Sequence, residues 1–334
     1  MAENHQSVHE LSTAGVIPLE FVRLQHDQPG TTLFQDSGLH APTIDMTKPD
    51  CGDRMTDAAM EWGCFQVVNH GVPAAVVAEL QRVGRAFFEL TPEEKSRSRY
   101  SQDPALGSIE GYEIGTMNHR NSAGKKRWGD FFYHYLTPPS IVKHEIWPKN
   151  PAGYREANEE YCRHMQRLTR EMFEHLSVGL GLEKGAMREA FGGDELVLLQ
   201  KMNSYPPCPQ PDLVLGVGPH TDICTLTILL PNEVPGLQII KDGSWHEVEY
   251  IQGALVVLIA DQIEIFSNGR YKAGLHRAMV NLEKTRMSWP VFVEPSREVV
   301  VGPHPLLLSH GSPAMYKAKK YKDYQYCKLN LLPQ

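Results

Sequence analysis

From residue 193 onward the chain breaks into short β-rich runs punctuated by proline and glycine, at 196–205, 226–230, 236–240, 254–260, 277–281, 287–294 and 299–301. Runs of that length, bounded by turn residues, read as strands, and several in succession build a sandwich or a barrel. The half before them has a different period. Val76, Leu80, Val83, Phe87 and Phe88 recur at helical spacing, as do Tyr161, Met165, Leu168, Met172 and Leu176, with Gly179 and Gly181 as the stop. Thr91-Pro92-Glu93-Glu94 predicts the cap and first turn of another short helix. The expected fold class is mixed α+β, with a barrel-like core in the C-terminal half flanked by helices. Residues 1–40 read as an N-terminal arm, 41–190 as a helix-rich region, 191–312 as the β core and 313–334 as a C-terminal helix. A division into two domains near residue 190 is the alternative.

Charge and composition remove several functions. Lys and Arg number 33 against 40 Asp and Glu, a net charge of −7 with no basic stripe, which argues against a dedicated nucleic-acid binder. The longest apolar run, 254–260, falls far short of the ~20 residues that span a bilayer, so no membrane association is expected. The start, Met1-Ala2-Glu3-Asn4-His5, lacks the basic and apolar parts of a secretory signal. Cys51, Cys64, Cys162, Cys208, Cys224 and Cys327 are scattered without a CxxC spacing and read as free thiols in a reducing compartment. A cytoplasmic monomer is the expectation.

The chemistry concentrates in the β-rich half. His220 and Asp222 stand two apart, which on a strand puts them on one face, and His276 follows on a later run. Two imidazoles and one carboxylate on one face of an octahedron suit Fe(II) and leave positions open for substrate and O2. His-x-Asp alone is a weak signal in a chain with 15 histidines, where a lone match is more often a satisfied core or surface pair than a site. Arg286 and Ser288 add weight, because a guanidinium fork and a hydroxyl on one strand face hold a carboxylate well; the plain alternative is an arginine paired at the surface. Lys201, Asn203 and Tyr205 also share a face, and Phe292 and Glu294 fall on the face of Arg286 and Ser288. His70, His246 and His304 read as turn caps or surface residues.

Taken together, several motifs resemble the plant Fe(II)/2-oxoglutarate-dependent dioxygenases, and within them the flavonoid branch that includes flavonol synthase, flavone synthase of the soluble type and anthocyanidin synthase. They are Asn203-x-Tyr205-Pro206-Pro207-Cys208-Pro209, His220-Thr221-Asp222, Asp261-Gln262-Ile263-Glu264, His276-Arg277 and Arg286-Met287-Ser288-Trp289-Pro290-Val291-Phe292. The segment from Trp62 to Gly71 matches the family's N-terminal part, so the resemblance covers roughly 40–330.

The resemblance implies a double-stranded β-helix, or jelly-roll, core. It implies Fe(II) on His220, Asp222 and His276, with 2-oxoglutarate as cosubstrate. The distal carboxylate of 2-oxoglutarate would lie on Arg286 and Ser288, assisted by Tyr205 and Asn203. O2 would be the co-reactant and ascorbate the reductant. Lys201, Phe292, Glu294, Phe131 and Tyr133 match positions that border the flavonoid. The sequence departs at Phe131, where flavonol synthases usually carry histidine, and a phenyl ring cannot donate a hydrogen bond to a ring hydroxyl. The expected reaction is oxidation of a flavonoid C ring, desaturating a flavanone to a flavone or a dihydroflavonol to a flavonol. Three alternatives remain at this stage: a flavanone hydroxylase, a dioxygenase of another plant specialised metabolite, and a cupin-like binding protein that has lost catalysis.

Overall fold

A computed structural model describes residues 6–29, 40–98, 101–103, 108–114, 125–309 and 312–333. The N-terminal half alternates helices with strands: α1 (Val8–Ala14), β1 (Thr43–Asp45), α2 (Cys51–Glu61), β2 (Cys64–Val68), α3 (Ala74–Glu89), α4 (Pro92–Ser96), β3 (Ser101–Asp103), β4 (Ser108–Glu113) and β5 (Asp130–Thr137). The long helix α5 (Tyr154–Gly179) and the short α6 (Ala186–Ala190) follow. Thereafter strands dominate: β6 (Val197–Tyr205), β7 (Val217–His220), β8 (Leu226–Pro231), β9 (Leu237–Lys241), β10 (Ser244–Glu247) and β11 (Leu255–Ile259). The chain closes with α7 (Asp261–Phe266), β12 (His276–Ala278), β13 (Arg286–Glu294), β14 (Val300–Val301), β15 (Lys319–Lys320) and α8 (Tyr321–Leu329).

Local chemistry explains several boundaries. In α4 the Thr91 hydroxyl accepts from the Glu94 amide while the Glu94 carboxylate accepts from the Thr91 amide, and Pro92 takes a first-turn position that needs no N–H. The five-residue apolar stripe on α5 is fully buried, from Tyr161 to Leu176. At the other terminus the helix expected over 313–334 is confined to Tyr321–Leu329; Lys319 and Lys320 instead pair as a strand with Val301 and Val300.

Nine strands form one sheet, in the order β1-β2-β11-β8-β13-β6-β5-β4-β3, and four form a second, β10-β9-β12-β7. The pairs are antiparallel apart from β1 with β2. The region before residue 191 is therefore not helical alone, since β1 to β5 extend the large sheet on both flanks of the C-terminal strands. One face of that sheet packs on α2, α3 and α5 in a core that holds Phe65, Phe87, Met165, Leu198, Met202, Trp289 and Val291. The opposite face looks into a cavity of about 580 Å3.

The strand pleat sorts the side chains between the two faces. On β13, Met287, Trp289, Val291 and Val293 enter the core while Arg286, Ser288, Pro290, Phe292 and Glu294 line the cavity. On β6, Leu198 and Met202 face the helices and Leu199, Lys201, Asn203 and Tyr205 face the cavity. The β13–β6 ladder skips Trp289 and Pro290, as a residue without an N–H requires.

Gly84 on α3 lets the indole of Trp289 seat against the helix backbone: a Cβ at that position would lie 2.4 Å from Trp289 Nε1. Alanine normally favours a helix interior over glycine by about 1 kcal/mol, but overpacking here costs about 1–3 kcal/mol. Gly84→Ala is expected to lower the urea midpoint with m unchanged. A variant at least as stable as the parent would show that Trp289 is not held by this contact.

Candidate metal centre

His220 ends β7, and His276 opens β12, directly opposite it in the antiparallel register. Asp222 lies two residues beyond β7, in the turn rather than on the strand, so its approach to His220 comes from the turn and not from the strand alternation that the sequence suggested. The result is convergent all the same. Asp222 Oδ1 is 3.4 Å from His220 Nε2, and Oδ2 is 3.8 Å from His276 Nε2. One donor atom from each residue lies within 4.8 Å of the other two, and this is the only such triad among the described residues.

The outer partners set the orientation of each ligand. The Nδ1 atoms of His220 and His276 sit 2.9 and 2.8 Å from the carbonyl oxygens of Gly218 and Gly274, which leaves both Nε2 atoms as the free lone pairs. Thr227 donates its hydroxyl to Asp222 Oδ2 at 2.5 Å. Burial pushes the Asp222 carboxyl up, yet the His276 charge, a hydrogen bond from His220 and the Thr227 hydroxyl outweigh it and hold the group well below the usual carboxylate range. Burial, reinforced by His220, lowers His276 to about 4. An ionised carboxylate facing two imidazole Nε2 atoms is the donor set a divalent cation requires.

The second constellation lies on the large sheet. Arg286 pairs with Tyr205 and Ser288 with Asn203 in the β13–β6 register, and the Asn203 amide donates to the Ser288 hydroxyl at 2.9 Å. Arg286 is 2 % exposed, its Nε has no partner, and no ion pair reaches it among the described residues. Asn203 Oδ1 is likewise buried and unpaired. The Tyr205 phenol hydrogen-bonds the guanidinium but leaves Nε unmet, which is costly in a buried site, and a carboxylate entering the cavity would satisfy it. The side chains therefore fit an acidic cosubstrate as well as a metal.

Of the residues expected to border a substrate, Tyr133, Lys201, Phe292 and Glu294 line the cavity. Phe131 does not. Its ring is 1 % exposed, 4.1 Å from the Lys201 ammonium and 6.3 Å from the Tyr205 ring, so it backs the cavity residues instead of forming a wall. Burial lifts Glu294 to about 7 and lowers Lys201 to about 7.

Several lining residues had no signal in the sequence. Arg23 and Asp27 come from the N-terminal arm, Arg127 and Tyr135 flank or belong to β5, and Gln325, Lys328, Leu329 and Leu331 come from the C-terminal segment. Both ends of the chain thus border the cavity. Thr227 could have been noticed as the polar interruption of an apolar strand. His246 corrects the surface expectation: it is buried on β10, edge-on to Trp62 at 6.1 Å. His70 and His304 do cap turns, accepting from the Val72 and Leu306 amides. All six cysteines are unpaired, and no described helix is long and apolar enough to cross a membrane.

A jelly-roll with an open His-Asp-His triad and a buried arginine beside it defines a class, and the chain belongs to the 2OG-Fe(II) oxygenase superfamily. The profile of that superfamily matches residues 194–295, and that of the non-haem dioxygenase in morphine synthesis N-terminal region matches 41–150. Fe(II) and 2-oxoglutarate are accordingly its metal and cosubstrate. Within the superfamily the chain sits on the plant flavonoid branch. It is 51 % identical to a flavonol synthase/flavanone 3-hydroxylase of Petunia hybrida, over 98 % of this chain and 95 % of that one. A flavonol synthase 1 of Crocosmia x crocosmiiflora is also 51 % identical, covering 95 % of each chain. The crystal structure of JOX2 in complex with 2OG, Fe and JA superposes with a TM-score of 0.87 at 31 % identity, over 97 % of this chain and 93 % of that one.

Thr227→Val removes the donor to Asp222 while keeping the shape of the side chain. Loss of an outer partner of a metal ligand typically weakens binding by about 10–100-fold. Anaerobic Fe(II) or Co(II) titration of the variant is expected to show a loss of at least about tenfold. Affinity within twofold of the parent would mean that the hydroxyl does not position the carboxylate.

Proposed function

We propose that the protein oxidises the C ring of a flavonoid, desaturating a flavanone to a flavone or a dihydroflavonol to a flavonol. The observation that carries the reading is the coincidence of two features in one cavity: the His220, Asp222 and His276 triad, and the buried Arg286, its Nε unpaired, with Ser288 on the neighbouring sheet. Relatives named flavonol synthase/flavanone 3-hydroxylase at about half identity supply the substrate class. With 2-oxoglutarate and O2, bound Fe(II) supplies an oxidative decarboxylation to succinate and CO2 that is coupled to removal of hydrogen from a substrate C–H bond. Desaturation then balances as flavanone, 2-oxoglutarate and O2 giving flavone, succinate, CO2 and water. Ascorbate serves as the reductant in vitro.

The chain's own residues do the placing. The imidazoles and the carboxylate leave part of the coordination sphere open. Arg286 and Ser288 hold the distal carboxylate of 2-oxoglutarate, with Tyr205 and Asn203 beside them. Tyr133 and Phe292 offer aromatic walls to a planar substrate, while Lys201 and Glu294 offer a donor and an acceptor to its hydroxyls. Small displacements of the C ring change which bond reacts, so those four residues decide the product. Flavanone hydroxylation uses the same centre and remains the second reading, because the relatives carry both activities in their names.

Incubation with Fe(II), 2-oxoglutarate, ascorbate and either naringenin or dihydrokaempferol is expected to yield a product two hydrogens lighter, by mass spectrometry. A product one oxygen heavier selects hydroxylation. No flavonoid turnover, alongside turnover of an unrelated aromatic, removes the reading. Arg286→Lys keeps the charge but loses the fork, and KM for 2-oxoglutarate is expected to rise by about tenfold or more. Unchanged KM would overturn the anchor assignment.

A further inference from the structure

Five Lys and Arg side chains and three carboxylates, Asp27, Asp222 and Glu294, line the cavity, and one of the cations, Lys328, is paired with Asp261. Arg23, Arg127 and Lys201 all line it, in addition to Arg286. Lys201 is 6 % exposed, and its ammonium stands 4.1 Å from the Phe131 centroid and 4.9 Å from that of Tyr133. The Arg127 guanidinium carbon stands 5.9 Å from the same Phe131 ring. The Nε atoms of Arg23 and Arg127 are buried without partners, and the Arg23 guanidinium donates to the Lys126 carbonyl at 3.4 Å.

The carboxylates that face these cations do not neutralise them by contact. Asp27 acts on Arg23, and Glu113 and Asp222 act on Lys201, but no ion pair ties any of the three cations to an acid among the described residues. Gathering like charges away from water is costly unless something offsets it. The face of Phe131 offsets part of it, since an aromatic quadrupole attracts a cation. This also gives the phenyl ring a reason to stand where a histidine was expected: a protonatable ring there would add a fourth positive group. Burial, and after it the neighbouring Arg127, lowers the pKa of Lys201 against the opposing pull of Glu113 and Asp222.

We propose that Arg127 and Lys201, held on the face of Phe131 with Arg23 beside them, form a cationic subsite for an ionised oxygen substituent on the aromatic substrate. The shared chemistry is a negatively charged ring oxygen, supplied either by an ionised phenol or by a sulfate ester. This rests on the flavonoid reading above and narrows it to substrates that carry charge.

The test compares three ligands that differ at one A-ring position: a hydroxyflavanone, its methyl ether and its sulfate ester. Binding to the full chain with 2-oxoglutarate and Co(II) is followed by tryptophan fluorescence. In the parent protein the sulfate ester is expected to bind at least tenfold more tightly than the ether, and in Arg127→Gln that ratio is expected to fall below two. Arg127→Lys is expected to retain a ratio between those of the parent and Arg127→Gln. Tighter binding of the parent phenol as pH rises through its own ionisation assigns the subsite to phenolates; a gain confined to the ester assigns it to sulfates. Equal affinities for ester and ether in the parent protein overturn the proposal. So does a fall in 2-oxoglutarate affinity in Arg127→Gln with the ratio intact, which would give Arg127 to the cosubstrate. If none of the flavanones binds while 2-oxoglutarate does, the flavonoid reading falls, and 4-nitrophenyl sulfate against 4-nitroanisole decides the charge claim by the same ratio.

Discussion

The pleat of two paired strands, β6 and β13, governs which side chains meet in this protein. Both lie near the middle of the nine-stranded sheet, and their register sets Arg286 opposite Tyr205, Ser288 opposite Asn203 and Phe292 opposite Leu199. A slip of one residue would send Arg286 into the helix-facing core and Met287 into the cavity. What prevents the slip is packing on the other face, where Trp289 seats against Gly84 of α3 and Val291 and Val293 join the main core. The anchor for an acid and the stability of the helical layer are thus two sides of one strand.

That constraint also explains what could be read from the sequence. Alternation has a period of two and is local, so the cavity faces of 201–205 and 286–294 were legible without knowledge of the partner strands. The triad was legible by residue type, although its geometry differs from the expected one: β7 stops at His220 and Asp222 reaches the centre from the turn. The β5 strand was harder to foresee. Its residues are held by pairing with β6 across about seventy positions, and Phe131, opposite Asn203, was assigned a wall although its ring lies behind one. Arg23 and Lys328 gave no sign at all, because their roles depend on where distant termini dock.

Lys328 illustrates such docking. Its ammonium donates to the Thr221 carbonyl at 3.0 Å and the Thr221 hydroxyl at 2.7 Å, and it forms an ion pair with Asp261, whose carboxylate also accepts from the Tyr324 phenol at 2.9 Å. Thr221 lies between the two ligands His220 and Asp222, and the Asp261 amide donates to the Asp222 carbonyl at 3.1 Å. The C-terminal helix therefore grips the turn that carries the carboxylate ligand while its Leu329 and the following Leu331 border the cavity.

Bordering a site with apolar side chains in this way has an electrostatic consequence. Excluding water lowers the effective dielectric, which strengthens every charge interaction inside and raises the cost of every charge left unmatched. Asp222 is matched by its imidazoles and Thr227, and the buried Nε of Arg286 has no partner. Arg127 and Lys201 share the face of one phenyl ring, which attracts both but carries no net charge. A neutral flavonoid would leave that imbalance in place when it displaced water from the cavity, whereas one bearing a charged oxygen would remove it. Discrimination in such a pocket comes less from shape, where a methyl group changes little, than from the penalty of closing over cations without a counter-charge.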